Sequence, residues 1–432
     1  MTQALHSPSR RRLLSAGAAL GGLALAGCAS TPAAGPSIGR VVIIGAGFGG
    51  STAARYLRLW GGNVDVTLVD RNASFVSCPI SNLVIGGHKQ MADITRGYQG
   101  LKAVGVKLLQ GEVQAIDAAA RKVRLAGGTE LAYDRLILSP GVDFMLDDTP
   151  GLAQALGSGR VLHSWKAGPQ TLALRQQIEA MADGGVFAMS IPKSPYRCPP
   201  GPYERACMVA SYLKVHKPRS KVLVLDANPE VQSKKALFEK AFRDHYAGIL
   251  EYRPNNGLKE VTFSGAQAVA KLEFDDVKAD VLNVIPPQRA GDIARTTGLL
   301  NMNNRWAGVN WLTMESTAAP GIHVLGDATF PAPQMPKSGH MANQHAKLAA
   351  AAIIQLLQGQ PVNAAPVVMN TCYSFVTAKD AVHVVSVHQY DAKDKTFKPV
   401  PGSGGVSAAA SQIEGRYALG WADNIWTDSL AL

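Results

Sequence analysis

Three stretches predict an α/β chain with two doubly wound domains and a C-terminal extension. The first runs from the apolar Arg40-Val41-Val42-Ile43-Ile44 through Gly45-Ala46-Gly47-Phe48-Gly49-Gly50 to a helix-like segment at Ser51–Leu59 and a strand at Val64–Val69 ending in Asp70. The second, Gly321-Ile322-His323-Val324-Leu325-Gly326-Asp327-Ala328, repeats the plan of strand, glycine and acid far along the chain. The third lies between them, where strands at Val186–Ser190 and Lys221–Asp226 mark another α/β region.

The first stretch is a βαβ unit of the Rossmann, dinucleotide-binding kind. Gly45, Gly47 and Gly50 occupy the G-x-G-x-x-G turn between strand and helix, where glycines permit the tight bend and let backbone N–H groups approach a pyrophosphate. Asp70, at the tip of the next strand, can accept from ribose hydroxyls, and Arg71 follows it. Glu130-Leu131-Ala132-Tyr133-Asp134-Arg135-Leu136-Ile137-Leu138-Ser139-Pro140-Gly141 has an apolar strand ending in a small-residue turn. This turn and the Gly326-Asp327 turn resemble the inner turns of glutathione-reductase-like flavoproteins. The resemblance implies a discontinuous FAD domain over residues 38–150 and 283–358, with Asp327 binding the ribityl chain. Met335-Pro336-Lys337-Ser338-Gly339 then opens an Ala-rich helix from about His340 to Leu357, whose N-terminus, with Lys337 and Ser338, favours negative charge on a reduced flavin ring.

Residues 151–282 form the second Rossmann-like domain. Its first strand feeds Ile191-Pro192-Lys193-Ser194-Pro195-Tyr196-Arg197-Cys198-Pro199-Pro200-Gly201-Pro202-Tyr203-Glu204-Arg205 instead of a second glycine turn. Prolines have no N–H to give a pyrophosphate, so this domain is expected to have lost a nicotinamide site. Residues 359–432 begin with a Pro-containing linker and carry Cys372 and Trp421; such an appendix covers an interface or closes a flavin face.

Composition bounds the alternatives. The 432 residues are 47% hydrophobic, 17% charged and 6% aromatic, ordinary values for a chain with two or three cores. The N-terminus is different: Ser9-Arg10-Arg11-Arg12-Leu13-Leu14 precedes an apolar run at Ala16–Ala26, the pattern of a twin-arginine signal peptide over residues 1–35. That run is about half the length of a membrane span. Leu25-Ala26-Gly27-Cys28 fits a lipobox that would leave Cys28 lipidated, and equally a chance Cys beside an ordinary cleavage site. The implied location is periplasmic. Net charge is +11, or +8 without the three leader arginines, and reads as a solvated basic surface before a docking patch for an acidic partner. There is no nucleic-acid motif. C-x-x-C and H-E-x-x-H are absent, and His323, His340 and His345 read as core or surface residues, so no metal site is expected.

The five cysteines matter by position. Cys78, in Ser77-Cys78-Pro79-Ile80-Ser81-Asn82-Leu83-Val84-Ile85-Gly86-Gly87, follows Asp70 by a short loop, and by itself reads as a packing thiol. In order, S-C-P-I-S-N-L-V-I-G-G, Y-R-C-P-P-G-P-Y-E-R, V-I-P-P-Q-R-A-G, M-P-K-S-G and the late Cys372 resemble the flavin subunit of flavocytochrome c sulfide dehydrogenase over nearly the whole mature chain. That resemblance implies FAD held by a thioether to Cys78, a redox-active disulfide between Cys198 and Cys372, and Glu204 as a proton acceptor. It implies attack of hydrosulfide on the disulfide, giving a persulfide and a thiolate, and passage of electrons through the flavin to a c-type cytochrome subunit. Any haem belongs to that separate subunit, since C-x-x-C-H is missing. From the residues alone, the pair reads as a static disulfide and Glu204 as a surface carboxylate paired with Arg205. Cys207 departs from the family pattern; it is an inert buried thiol or a competitor of Cys372 for Cys198. Other readings are a sulfide:quinone reductase or NADH-dehydrogenase-like flavoenzyme, and a non-catalytic flavin-bearing sulfur-binding module.

Overall fold

The computed structural model describes residues 36–432; the expected leader, with Arg10–Arg12 and Cys28, lies outside the described residues. The first part of the chain supplies β1 (Gly39–Ile44), α1 (Phe48–Gly61), β2 (Val64–Asp70), α2 (Ser81–Ile85), β3 (Lys107–Gln110) and β4 (Arg135–Leu138). The middle supplies β5 (Val161–Leu162), α3 (Pro169–Ala180), β6 (Val186–Ile191), α4 (Gly201–His216), β7 (Lys221–Asp226), α5 (Lys235–Tyr246), β8 (Leu250–Arg253) and β9 (Val281–Val284). The chain then returns with β10 (Ile322–Val324) and α6 (Gly339–Leu357), and ends in β11 (Val367–Phe375), β12 (Ala381–Asp391), β13 (Thr396–Pro399) and α7 (Gln412–Leu430).

β10, β4, β1, β2 and β3 are adjacent and parallel in one sheet, extended beyond β10 by two short antiparallel strands at Val309–Asn310 and Glu315–Ser316. β5, β9, β6, β7 and β8 form a second, wholly parallel sheet. Parallel strands covered on both faces must be apolar throughout, and Val41, Val42 and Ile43 of β1 are buried accordingly. Each sheet carries a three-stranded antiparallel excursion, at 113–132 and 260–279. The fold is thus two Rossmann-like domains of the glutathione-reductase type with a C-terminal domain.

Two elements add detail to the expected plan. The Glu130–Gly141 stretch holds the apolar strand β4 ahead of its small-residue turn, preceded by a separate strand, Glu130–Ala132, of the excursion. The break falls at Asp134, whose carboxylate accepts from the backbone N–H of Arg40 at 2.7 Å and from its guanidinium at 2.9 Å, turning the chain from one sheet to the other. The C-terminal extension is a four-stranded antiparallel sheet followed by the 19-residue α7. That helix is tied to α1 and α6: Thr52 Oγ1 donates to Ser429 Oγ at 2.9 Å, and Asn343 Nδ2 donates to Asp428 at 2.7 Å. Among the described residues no helix is long and apolar enough to cross a membrane.

Candidate active site

The turn between β1 and α1 explains its three glycines separately. Gly45 has φ +95°, and a Cβ there would lie 2.4 Å from the Ser139 carbonyl oxygen. A Cβ on Gly50 would lie 1.8 Å from the Gly45 oxygen, so this glycine lets the helix pack against the turn. Gly47 is the reverse: a Cβ there would meet nothing within 4 Å, and it stands at the N-terminus of α1, which no side chain caps. Asp70 braces the turn, its Oδ2 accepting from Ala46 N–H at 2.6 Å and its Oδ1 from Asn72 N–H at 2.7 Å. Arg71 is exposed, 3.7 Å from Glu112.

Beyond β10, Asp327 has a buried Oδ1 with no hydrogen-bond partner. Such an oxygen is costly unless a donor meets it, and a ligand hydroxyl is the fitting donor. Burial pushes the Asp327 carboxyl above the usual range, against the opposing charges of Arg197 and Lys337. Lys337 donates to the Asp327 carbonyl at 2.8 Å and lies over the Trp306 ring; burial brings it down to about 7. Ser338 caps α6, accepting from Met341 N–H at 3.0 Å and donating to Asn370 Oδ1 at 2.6 Å. An open helix start, a braced acid at a strand tip and an orphaned carboxylate oxygen are what FAD requires of pyrophosphate, ribose and ribityl sites, so the residues fit that group. Gly47 and the α1 N-terminus would hold the pyrophosphate, Asp70 a ribose and Asp327 the ribityl chain.

The sulfur chemistry collects where the second domain and the C-terminal sheet meet. Cys198 has φ +56°, a left-handed conformation costing a non-glycine residue about 1–2 kcal/mol. Its N–H donates to the Lys337 carbonyl and its carbonyl accepts from Gly201 N–H, both at 2.9 Å, which holds the turn into α4. A Cβ on Gly201 would lie 2.9 Å from both Cys198 Sγ and the Trp165 ring, so this glycine admits sulfur and indole together. Arg197 donates to the Trp165 carbonyl, and its own N–H is held at 2.9 Å by Gln288 of the V-I-P-P-Q-R-A-G motif. Cys372 sits on β11, where the Asn370 amide donates to its Sγ at 3.3 Å.

Glu204, in the first turn of α4, is only 9% exposed. Its Oε1 accepts from Phe375 N–H at 2.7 Å and its Oε2 from Asn82 Nδ2 at 2.8 Å. Burial raises its pKa in spite of these bonds and of the Lys234 and Arg205 charges. A carboxyl so placed gives and takes a proton nearer neutrality than a surface one does. The surface pairing of Glu204 with Arg205 is therefore corrected: Arg205 is buried and donates to Asn82, Asn283 and the carbonyls of His163 and Ser164. Asn82 belongs to α2, just after Cys78, whose Sγ lies 3.4 Å from Ala167 N. α2 thus links Cys78 to Glu204, and β11 links Glu204 to Cys372.

The disulfide between Cys198 and Cys372 is not formed in this structure: Cys78, Cys198, Cys207 and Cys372 are all free thiols. Cys372 Sγ engages the Asn370 amide instead. Burial, then the charges of Cys372 and Glu204, push the Cys198 thiol far up, so the two cysteines sense one another. Cys207 lies 0% exposed in the core of the second domain, packed with Tyr203, Val209 and Leu213, and burial holds its thiol well above the usual range, which favours the buried-thiol reading. Trp421, on α7, stands 6.0 Å from the His340 ring at the start of α6 and 6.3 Å from Tyr373, beside Cys372. His323 and His345 are buried and engaged by Thr313 O and Gly326 N–H, and His340 accepts from Thr371 N–H. Among the described residues no three metal-ligating side chains converge.

Sequence reasoning missed Lys234, Asn82 and Arg205. Lys234 stands in a Lys-Lys pair that reads as solvated surface, yet it is 7% exposed and reaches the Cys372 carbonyl. The second domain's own strand-tip acid is consumed: Asp226 is 0% exposed and accepts from Tyr203, Tyr252 and Asn228 at 2.7, 3.0 and 2.9 Å.

Comparison with known proteins agrees with this architecture. Residues 171–286 match the family described as "Sulfide dehydrogenase [flavocytochrome c] flavoprotein chain, central", residues 364–430 "Flavocytochrome c sulphide dehydrogenase, flavin-binding", and residues 39–177 "Pyridine nucleotide-disulphide oxidoreductase". A flavoprotein chain of this kind from Chlorobaculum thiosulfatiphilum is 51% identical over 45 residues, 10% of this chain and 94% of that sequence. The chain belongs to the flavocytochrome c sulfide dehydrogenase flavoprotein family. It is also similar to the mitochondrial sulfide:quinone oxidoreductases of Dictyostelium discoideum (23% identical; 68% of this chain, 66% of the relative) and Mus musculus (22%; 67% and 65%). This family member thus spans just under two thirds of the length of those two relatives. In fold it is similar to the sulfide:quinone oxidoreductase of Aquifex aeolicus, with TM-score 0.73 at 17% identity over 90% of this chain and 91% of that one.

Proposed function

We propose that this chain is an FAD-dependent sulfide dehydrogenase, exported to the periplasm by its twin-arginine leader, that delivers electrons to a c-type cytochrome subunit. The observation that carries the reading is the convergence of Cys198, Cys372 and the buried Glu204, with the Cys198 N–H held by the Lys337 carbonyl. FAD, when bound, supplies an acceptor that takes two electrons and releases them singly. The protein's own part begins with the oxidised pair: hydrosulfide attacks one sulfur of a Cys198–Cys372 disulfide. The S–S bond breaks, a persulfide forms on the attacked cysteine, and the electron pair of the broken bond leaves on the other as thiolate. Glu204 takes the proton released by the attacking sulfur. Arg205 and Asn82 orient that carboxyl, and Cys78 is the tether for a covalent flavin. Lipid at Cys28 would be the sole membrane attachment.

Likeness to sulfide:quinone oxidoreductases favours a quinone as the second candidate acceptor. Anaerobic sulfide titration of the purified protein, followed by addition of cytochrome c or a soluble quinone, separates the readings. Bleaching of the yellow chromophore at about one sulfide per flavin, abolished in Cys198→Ser and reversed by cytochrome, is expected; reversal by quinone alone moves the acceptor, and an unbleached wild type overturns the activity. Acid precipitation tests the tether, since colour kept in the pellet must be lost in Cys78→Ala.

A further inference from the structure

The loop ahead of α5 carries a lysine turned into the site instead of toward water. Lys234 has φ +56° and is 7% exposed; its ammonium donates to the Cys372 carbonyl at 3.0 Å and to Ser374 Oγ at 2.8 Å. A buried ammonium costs several kcal/mol unless a negative partner compensates it, yet among the described residues its hydrogen-bond partners are the neutral Cys372 carbonyl and Ser374 hydroxyl. The acidic groups whose charge it feels are Cys372 on β11, Glu204 on α4, Cys198 before α4 and Glu414 on α7.

We propose that Lys234 is the positioning cation of the thiol site, making Cys372 the sulfur that carries the negative charge and leaving Cys198 as the sulfur that is attacked. The inference rests on the dehydrogenase reading above and adds a direction to it. Two features set the direction. Cys372 has the Asn370 amide donating to its Sγ at 3.3 Å as well as the ammonium at its own carbonyl. Cys198 lies just before a helix, where backbone N–H groups ordinarily stabilise a thiolate, but Pro199, Pro200 and Pro202 have none, and the Gly201 N–H is spent on the Cys198 carbonyl. Burial raises both thiols and Glu204 opposes charge on both. At Cys372, however, the Lys234 ammonium is the largest effect after burial and Glu204 the smallest, whereas at Cys198 Glu204 outweighs Arg197 and Lys234 comes last.

In thiol–disulfide exchange the better-stabilised thiolate is the better leaving group. Hydrosulfide therefore bonds to Cys198 Sγ; the Cys198–Cys372 bond breaks, and its electron pair departs with Cys372. The new S–S bond remains on Cys198 as persulfide and Glu204 accepts the proton, so the disulfide is the two-electron oxidant. Burial brings Lys234 down to about 8, so the support it lends the thiolate is present below that pH and fades above it.

The test reads thiolate character directly, on holoenzyme reduced under anaerobic conditions and alkylated with iodoacetamide across pH 5–10, the labelled cysteines being resolved by peptide mass spectrometry. Wild type is expected to label at Cys372 before Cys198, with the preference narrowing above about pH 8. Lys234→Gln keeps an amide for the two oxygens but removes the charge; it should slow Cys372 labelling at pH 7, where the ammonium is present in wild type, about tenfold, with the difference shrinking above about pH 8. Lys234→Arg should restore the wild-type profile. Labelling of Cys198 first in wild type, which needs no variant, overturns the proposal; so does an unchanged Cys372 labelling rate at pH 7 in Lys234→Gln. Sulfide bleaching of wild type is scored separately, so failure of the dehydrogenase reading is distinguishable from failure of the assignment to Lys234.

Discussion

Gly47 and Gly50 sit three residues apart in one turn, and the structure predicts opposite failures when each gains a methyl group. At Gly50 the new Cβ lies 1.8 Å from the Gly45 oxygen and 3.0 Å from its carbonyl carbon. Both are backbone atoms between β1 and α1, so relief requires the helix to move, at about 1–3 kcal/mol or more. At Gly47 the backbone is φ −73°, ψ −166°, open to any residue, and the Cβ meets nothing within 4 Å. Gly47→Ala should therefore leave the flavin-free fold intact, or gain about 0.4–1 kcal/mol through the lower entropy of the unfolded chain. What it should lose is the ligand, because the methyl group occupies the approach to the α1 N-terminus. A ligand at a hundred times its Kd stabilises by about 2.7 kcal/mol, and that increment should shrink or vanish in Gly47→Ala. The assay is flavin content together with denaturant melts in the presence and absence of added FAD, in a Cys78→Ala background so that a covalent tether cannot mask weak binding. Full flavin content with an undiminished FAD-dependent shift in Gly47→Ala would refute the pyrophosphate assignment; wild-type stability in Gly50→Ala would refute the packing argument.

Two further substitutions separate chemistry from scaffold. Glu204→Gln can keep one acceptor for Phe375 N–H but turns an amide toward Asn82 Nδ2, and Asn82 cannot flip freely because its Oδ1 accepts from Arg205 at 3.1 Å. One buried donor is left unpaired, at about 1–3 kcal/mol in a denaturant melt, and stopped-flow bleaching by sulfide should slow about a hundredfold or more as the proton acceptor is lost; an unchanged rate removes Glu204 from the reaction. Cys207→Ala should cost about 1 kcal/mol for a small void and leave bleaching unaltered; a bleaching defect with normal stability would bring Cys207 into the thiol chemistry after all.

The glycine turn, the strand-tip Asp70, the Gly326-Asp327 turn and the start of α6 were legible because each is a backbone requirement written in residue type. Glycines mark positive φ or close approach, and Ser338 marks a helix start that the structure caps as expected. The C-terminal sheet was not legible, and its reason is functional. On β11 the alternate residues Val368, Asn370, Cys372 and Ser374 share one face, and Asn370 and Ser374 are 2% and 1% exposed. The inward face is polar because it looks onto the thiol site, which breaks the apolar alternation that marks a half-buried strand. Lys234, Asn82 and Arg205 were hidden for a related reason. Local sequence cannot show that a lysine in a charged pair points inward, or that an asparagine on a five-residue helix meets a glutamate 122 positions away.

The two Rossmann-like sheets show how one architecture is kept for its ligand and the other for its side chains. In the first, Gly47 leaves the helix start open and Asp327 keeps an unpaired oxygen, so both polar ends of the site await a ligand. In the second, the corresponding places are closed from within. The strand-tip Asp226 is saturated by two tyrosine hydroxyls and Asn228, and the strand-to-helix turn has exchanged N–H donors for prolines. A turn with prolines in place of N–H donors is free to adopt a shape useful for something else. Here that shape is the left-handed Cys198, pinned by the Lys337 carbonyl of the first domain and faced by β11 of the third. Restoring glycines at Pro199 and Pro200 alone would not recover a dinucleotide site, because Tyr203 and Tyr252 would still hold Asp226; the exchange of functions is distributed over the turn, the strand tip and the helix, and would have to be reversed at all three.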